Sequence, residues 1–200
     1  MKGGGLPPFK KKPEKSLSTK DAQQLKTTVF QSSPANLPKS WTQGFILSPS
    51  ENTPYGLKQI EGGPCGIIAA VQCYYLKHLL LFNNVSDQSN STVREMALVG
   101  AIADLLWKVK SSDKVTLTFP PKGAFKIDVN NLRVTFVDAH SFEAVFAGVW
   151  ANREEFIGEK NFGVAALLYS VVLTKGSENI EGEVDIKTNP LIGNHGHCTQ

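Results

Sequence analysis

Cysteine is scarce in this chain: Cys65, Cys73 and Cys198 are the three among 200 residues. An odd, small number supplies no disulfide framework and suits a reducing compartment, so a cytoplasmic or nuclear setting is expected. Long apolar runs are missing as well. None approaches the roughly eighteen residues of a membrane span, and no apolar stretch follows Met1-Lys-Gly-Gly-Gly as it would in a secretory signal. With no secretory route indicated, the glycosylation sequons at Asn84 and Asn90 carry no weight. Charge of either sign is in short supply: the net is +3, and residues 1–20 hold six lysines against one acid, Glu14. The remainder is near neutral, which speaks against a nucleic-acid-binding face spread over the fold. Neither nucleic acid nor membrane is an expected partner, and oligomeric state is not legible.

What is present is an ordinary globular composition, 41% hydrophobic and 20% charged, which excludes wholesale disorder. Residues 1–40 are the exception. Rich in Gly, Pro, Lys, Ser and Gln, they read as a disordered basic tail, with the fold beginning near Trp41. Trp41-Thr-Gln-Gly-Phe-Ile-Leu47 reads as a short strand or anchoring loop, followed by a loop over 48–61. From Cys65 the pattern changes. Ile67, Ile68, Val71, Tyr74, Tyr75, Leu79 and Phe82 recur at steps of three and four, predicting a helix with a wide apolar face. Thr92 with Glu95 can form a capping box for a second helix whose stripe runs from Val93 to Leu106 and which ends near Lys110. Val115–Phe119 and Leu132–Val137 alternate as strands. Residues 141–156 and 162–173 favour helix, and 180–200 reads as loop. Helices and strands mix without a βαβ rhythm, so the fold class is α+β. No internal repeat is visible. The low strand count and the plain ending at Cys198-Thr-Gln200 lead to the expectation that the natural domain continues past Gln200.

Cys65 is the leading candidate for chemistry. Pro64 restricts the chain before it, Gly62, Gly63 and Gly66 leave the backbone uncrowded, and helix follows. A thiol at the first turn of a helix faces free N–H groups and the positive end of the dipole, which favour the thiolate, the competent nucleophile in acyl transfer. The competing reading is a small buried hydrophobe at a helix start. Cys73, eight residues on within the same helix, reads as core. Gln59 lies six residues before Cys65. A Gln at about this offset in papain-like proteases donates its amide to the oxyanion, and such a donor is worth about 3 kcal/mol in the transition state. Its plain reading is a solvated loop side chain.

The stretch Tyr55-Gly-Leu-Lys-Gln-Ile-Glu-Gly-Gly-Pro-Cys-Gly-Ile-Ile-Ala-Ala-Val-Gln72 resembles the active-site segment of the MINDY deubiquitinases, in their larger-domain branch that holds the fourth member and its shorter paralogue. Ile102-Ala-Asp-Leu-Leu-Trp107 and Leu191-Ile-Gly-Asn-His-Gly-His-Cys-Thr-Gln200 add to the likeness, which runs from about residue 41 to the end. The resemblance implies a papain-like thiol protease domain, of which residues 41–200 would be the N-terminal part. It implies Cys65 as nucleophile and Gln59 as oxyanion donor, and as substrate the isopeptide bonds of polyubiquitin, with a preference for 48-linked chains. Ubiquitin and polyubiquitin are thus the implied partners.

A cysteine protease also needs a histidine to take and return the thiol proton. His78 stands thirteen residues along the Cys65 helix, roughly 20 Å away by helical rise, and is excluded. His140 follows a strand and is admissible, while His195 and His197 lie in Asn194-His-Gly-His-Cys198. The resemblance puts the family's catalytic His well downstream, in a segment that matches no residue of this chain. The chain is therefore a fragment or short isoform of an enzyme, or an inactive member that binds ubiquitin or a partner without turnover. His195, His197 and Cys198 have zinc-ligand chemistry, but a structural site takes four ligands and no second cluster lies nearby, so neither metal nor cofactor is expected.

Overall fold

In chain order the elements are β1 (Lys15–Ser16), α1 (Thr19–Phe30), β2 (Ile46–Leu47), β3 (Leu57–Lys58), α2 (Cys65–Phe82), α3 (Ser91–Val109), β4 (Lys114–Phe119), β5 (Arg133–Asp138), α4 (Phe142–Ala151), α5 (Gly163–Lys175) and α6 (Ser177–Glu183). This computed structural model describes residues 13–31, 37–48, 55–82, 90–183, 190–193 and 196–198. The architecture is mixed α+β. A three-stranded antiparallel sheet, ordered β1-β5-β4, packs against α4 and α5, and β2 and β3 form a separate antiparallel pair.

The central packing is α2 on α3, α3 on α4 and α5, and α5 on β4. β4 is an edge strand, and its outward N–H groups need partners once a helix covers them. Hydroxyls on α5 supply these: Thr116 N–H donates to Thr174 Oγ1 at 3.1 Å and Thr118 N–H to Ser170 Oγ at 3.0 Å. This explains how a helix buried along nearly its whole surface carries Ser170 and Thr174 inward. On the sheet side Gly148 of α4 lies so close to Val137 that a Cβ there would meet Cγ2 at 2.6 Å.

The expected tail is the main correction. Residues 1–12 lie outside those described, but residues 13–31 are structured. Leu17 N–H donates to Leu132 O, β1 pairs Lys15 with Val134 and Ser16 with Arg133, and the Arg133 guanidinium binds both Glu14 and Glu155. Ser18 caps α1 by accepting from Asp21 N–H. Ala22, Leu25 and Val29, at steps of three and four, are buried in the main core. Thr28 and Phe30 are buried as well, at the C-terminal end, while Gln23, Gln24 and Thr27 face water. Its composition therefore looks like linker.

Smaller differences have local causes. The cap of α3 is Asn90, whose side chain accepts from Thr92 and Val93 N–H, rather than a Thr92–Glu95 box. The predicted helix over 141–156 stops at Ala151, and a 3₁₀ turn over Arg153–Glu155 completes it. α6 occupies the start of the segment read as loop. Cys73 is exposed, contrary to its reading as core. The buried positions of α2 are Ile68, Val71, Tyr75 and Leu79, and Cys73 falls between two of them, on the outer face. Among the described residues no helix is long and apolar enough to cross a membrane.

Candidate active site

Cys65 is the first residue of α2 and is exposed to solvent. The turn before it is built by glycine. Gly63 has φ +140°, and a Cβ there would sit 2.5 Å from Ser40 Oγ and 2.8 Å from Gly196 O. Only glycine accepts both the backbone conformation and the crowding. Helical bonding starts immediately, with Ile68 N–H donating to Pro64 O at 3.0 Å. The Cys65 sulfur is 3.8 Å from Gly63 O. Its place at the first turn puts it beside backbone N–H groups that have no partner within the helix.

Gln59 follows β3, on a short loop of which both ends are tied down. Ile46 pairs with Lys58 and Leu47 with Leu57, and Ser48 N–H donates to Gly56 O. From α2, Gln72 grips the strand twice: Leu57 N–H donates to its Oε1 at 2.6 Å, and its Nε2 donates to Tyr55 O at 2.8 Å. Beyond Gln59, Ile60 N–H donates to Gln43 Oε1 at 2.9 Å. Gln43 is buried, its carbonyl accepts from Val164 N–H at the start of α5, and its Nε2 has no partner among the described residues. The Gln59 amide itself donates to Glu61 O at 2.7 Å, within its own loop. A carboxamide nitrogen carries two N–H donors, so this bond engages one of them.

A third segment reaches the site that sequence reasoning did not place there. Ile192 and Cys198 form an isolated antiparallel bridge, with Gly193 N–H donating to His197 O and Gly196 N–H to Gly193 O. Trp41 Nε1 fixes this turn by donating to Gly196 O at 2.6 Å. Cys198 Sγ consequently lies 3.9 Å from Gly63 O, the same carbonyl that Cys65 faces. A Cβ on Gly66 would meet that sulfur at 3.3 Å. Nothing in the local pattern around Cys198 signals this neighbour; the one hint was the likeness of residues 191–200 to the same family as residues 55–72.

The histidines divide. His78 Nε2 lies 3.1 Å from Asp104 Oδ2, and Lys77 Nζ lies 2.6 Å from the same oxygen. The His78 ring also stacks on Phe142. Burial pushes the His78 imidazole below its ordinary value, and the hydrogen bond and charge of Asp104 offset this only in part. Burial alone would raise the Asp104 carboxyl, but bonds and charges from Lys77 and His78 outweigh it and hold the group below the usual range. This cluster joins α2 to α3. His140 is exposed, 3.7 Å from Asp113. His197 is exposed in the turn beside Cys198, and His195 lies outside the described residues. Among the described residues no group of three His, Cys, Asp or Glu side chains is placed to hold a metal ion.

Residues 26–200 match the family model described as deubiquitinating enzyme MINDY-3/4, conserved domain. A Xenopus tropicalis protein named probable ubiquitin carboxyl-terminal hydrolase MINDY-4 is 32% identical over 93% of this chain and 26% of its own length. The human protein of that name is 31% identical over 90% of this chain and 25% of its own. The Danio rerio ubiquitin carboxyl-terminal hydrolase MINDY-3 is 32% identical over 84% of this chain and 44% of its own. The chain thus spans between a quarter and a half of the length of these curated relatives. No solved structure matches it.

Proposed function

Because this chain belongs to the MINDY-3/4 deubiquitinase family, we propose that it carries the nucleophile and the oxyanion donor of a thiol-dependent ubiquitin hydrolase of papain-like type. Cys65 attacks the isopeptide carbonyl in polyubiquitin, of 48-linked chains by preference, and Gln59 steadies the oxyanion. The observation that carries the reading is the exposed Cys65 thiol at the first residue of α2, behind the Gly62-Gly63-Pro64 turn. A nucleophile must be open to substrate, whereas a packing cysteine would be sealed. Gln59 stands in a loop tethered to the same helix through Gln72, which supports its role as donor.

A second reading is a ubiquitin-binding module without turnover. It is favoured by the partner of the Cys65 thiol, which among the described residues is Gly63 O and not a histidine. Ubiquitin carrying a C-terminal electrophile tests the enzyme reading. Covalent capture at Cys65, abolished in Cys65→Ala, is expected. Labelling at Cys73 or Cys198 with Cys65 untouched would remove Cys65 as the nucleophile.

A further inference from the structure

Gln72 lies seven residues after Cys65 on α2. Two helical turns bring a side chain back to the same face, so both occupy one side of the helix, about 10 Å apart along its axis. The Gln72 carboxamide is half-buried and uses both of its ends on backbone: Oε1 accepts from Leu57 N–H and Nε2 donates to Tyr55 O. Those atoms flank Gly56, at the entry to the strand that leads into Gln59. On the far side, Ile60 N–H is held by the buried Gln43. A loop of this length, held one residue after Gln59 and two residues before it, has little freedom to drift relative to α2.

We propose that Gln72 is a positioning residue for the reaction at Cys65: its two backbone hydrogen bonds set the Gln59 loop in register with the helix that presents the thiol. The inference rests on the reading of Gln59 as oxyanion donor. Its physical basis is that one rigid element carries both the nucleophile and the clamp for its electrophilic partner. A displacement of about 1 Å in such a pair can cost a hundredfold in rate. A glutamine is suited to the task because it offers a donor and an acceptor in one plane, matched to a strand's C=O and N–H.

The test uses the full chain and a ubiquitin C-terminal thioester of mercaptoethanesulfonate. The Cys65 thiolate adds to the thioester carbonyl, the bond to the small thiol breaks, and mercaptoethanesulfonate leaves as its thiolate. No proton donor is required, so the step reads the oxyanion donor without a general acid. Alkylation by iodoacetamide, followed on the Cys65 peptide by mass spectrometry, reports thiol access without any carbonyl oxyanion. Gln72→Met should slow acylation by about tenfold or more while leaving alkylation within about twofold, and Gln59→Ala should slow acylation by about a hundredfold. The double variant should be no slower than Gln59→Ala, because the clamp acts through Gln59. Gln72→Glu keeps the acceptor for Leu57 N–H and should fall between wild type and Gln72→Met. Equal slowing of acylation and alkylation, additive losses in the double variant, or a Gln72→Met chain that acylates at the wild-type rate while Gln59→Ala does not would each overturn the inference. If Gln59→Ala acylates like wild type, the oxyanion assignment itself fails and the inference falls with it. Should Gln72→Met not fold, Gln72→Glu decides alone: slowing of acylation beyond that of alkylation supports the clamp, and equal slowing refutes it.

Discussion

The indole Nε1 of Trp41 donates to the carbonyl of Gly196 at 2.6 Å, a buried bond between residues 155 positions apart. It holds the turn over Gly193 to Cys198 against the Gly63 loop, because Gly196 O also lies against the position a Gly63 Cβ would take. The geometry of the Gly62-Gly63-Pro64 turn before Cys65 therefore depends on a residue well before it and a segment far after it.

Trp41→Phe removes the donor and leaves a buried carbonyl without this partner, at a cost of about 1–3 kcal/mol. The loss should appear as a lowered melting temperature together with faster hydrogen exchange at the Gly193 and Gly196 amides, which are hydrogen-bonded in this turn, and at the Ile192 amide, which ties it to Val29 O of α1. Unchanged exchange at all three amides would show that the indole bond does not hold the segment.

The α1 helix belongs to the fold. Leu25 is 0% exposed and Val29 likewise, so Leu25→Ala should cost about 2–5 kcal/mol. A chain starting at Trp41 should lose cooperative unfolding altogether, since α1 leaves the core, β1 leaves the sheet and Arg133 loses Glu14. Denaturant melts followed by circular dichroism check both. A truncated chain with the wild-type midpoint would restore the tail reading.

Stability should fall in acid in two steps. His78 titrates below its ordinary 6.5 in the folded chain, so the unfolded chain binds its proton first as pH drops, and stability is lost from about pH 6.5 downward. Asp104 lies below its ordinary 3.8 when folded, so its contribution is present above that value and is lost as pH falls through it. Melting temperatures from about pH 8 to about pH 3 should decline in that order, and His78→Gln should flatten the upper step and leave a smaller lower step, carried by Lys77 on Asp104. Parallel curves for the two chains would exclude His78 as the source of the upper step.

Turnover is the severest trial of the proposed function. The 200-residue chain, incubated with 48-linked tetraubiquitin, is expected to release no monoubiquitin above background. Cleavage of an isopeptide bond requires a group that protonates the leaving amine, and among the described residues the hydrogen-bond partner of the Cys65 thiol is Gly63 O and not a histidine. Release that vanishes in Cys65→Ala would contradict this, and His140→Ala, His195→Ala and His197→Ala would then identify the base, with His140 changed first.

Much of this protein follows from local pattern. The three- and four-residue steps after Cys65 specify α2, alternation with β-branched residues specifies β4 and β5, and Gly62-Gly63-Pro64 specifies a turn that delivers a thiol to a helix start. Each is decided within a few residues, by periodicity and by allowed backbone conformations, so no knowledge of the partner was needed. Tertiary structure decided the rest. Whether Cys73 is inside depended on which face of α2 meets α3. The polar sequence of α1 became a core helix because the main core receives Ala22, Leu25 and Val29. Cys198 came to share the Gly63 carbonyl with Cys65 because Trp41 anchors its turn. Such pairings are chosen by burial and hydrogen bonding between segments distant in the chain, and a local stretch of sequence holds no record of the surface it will meet.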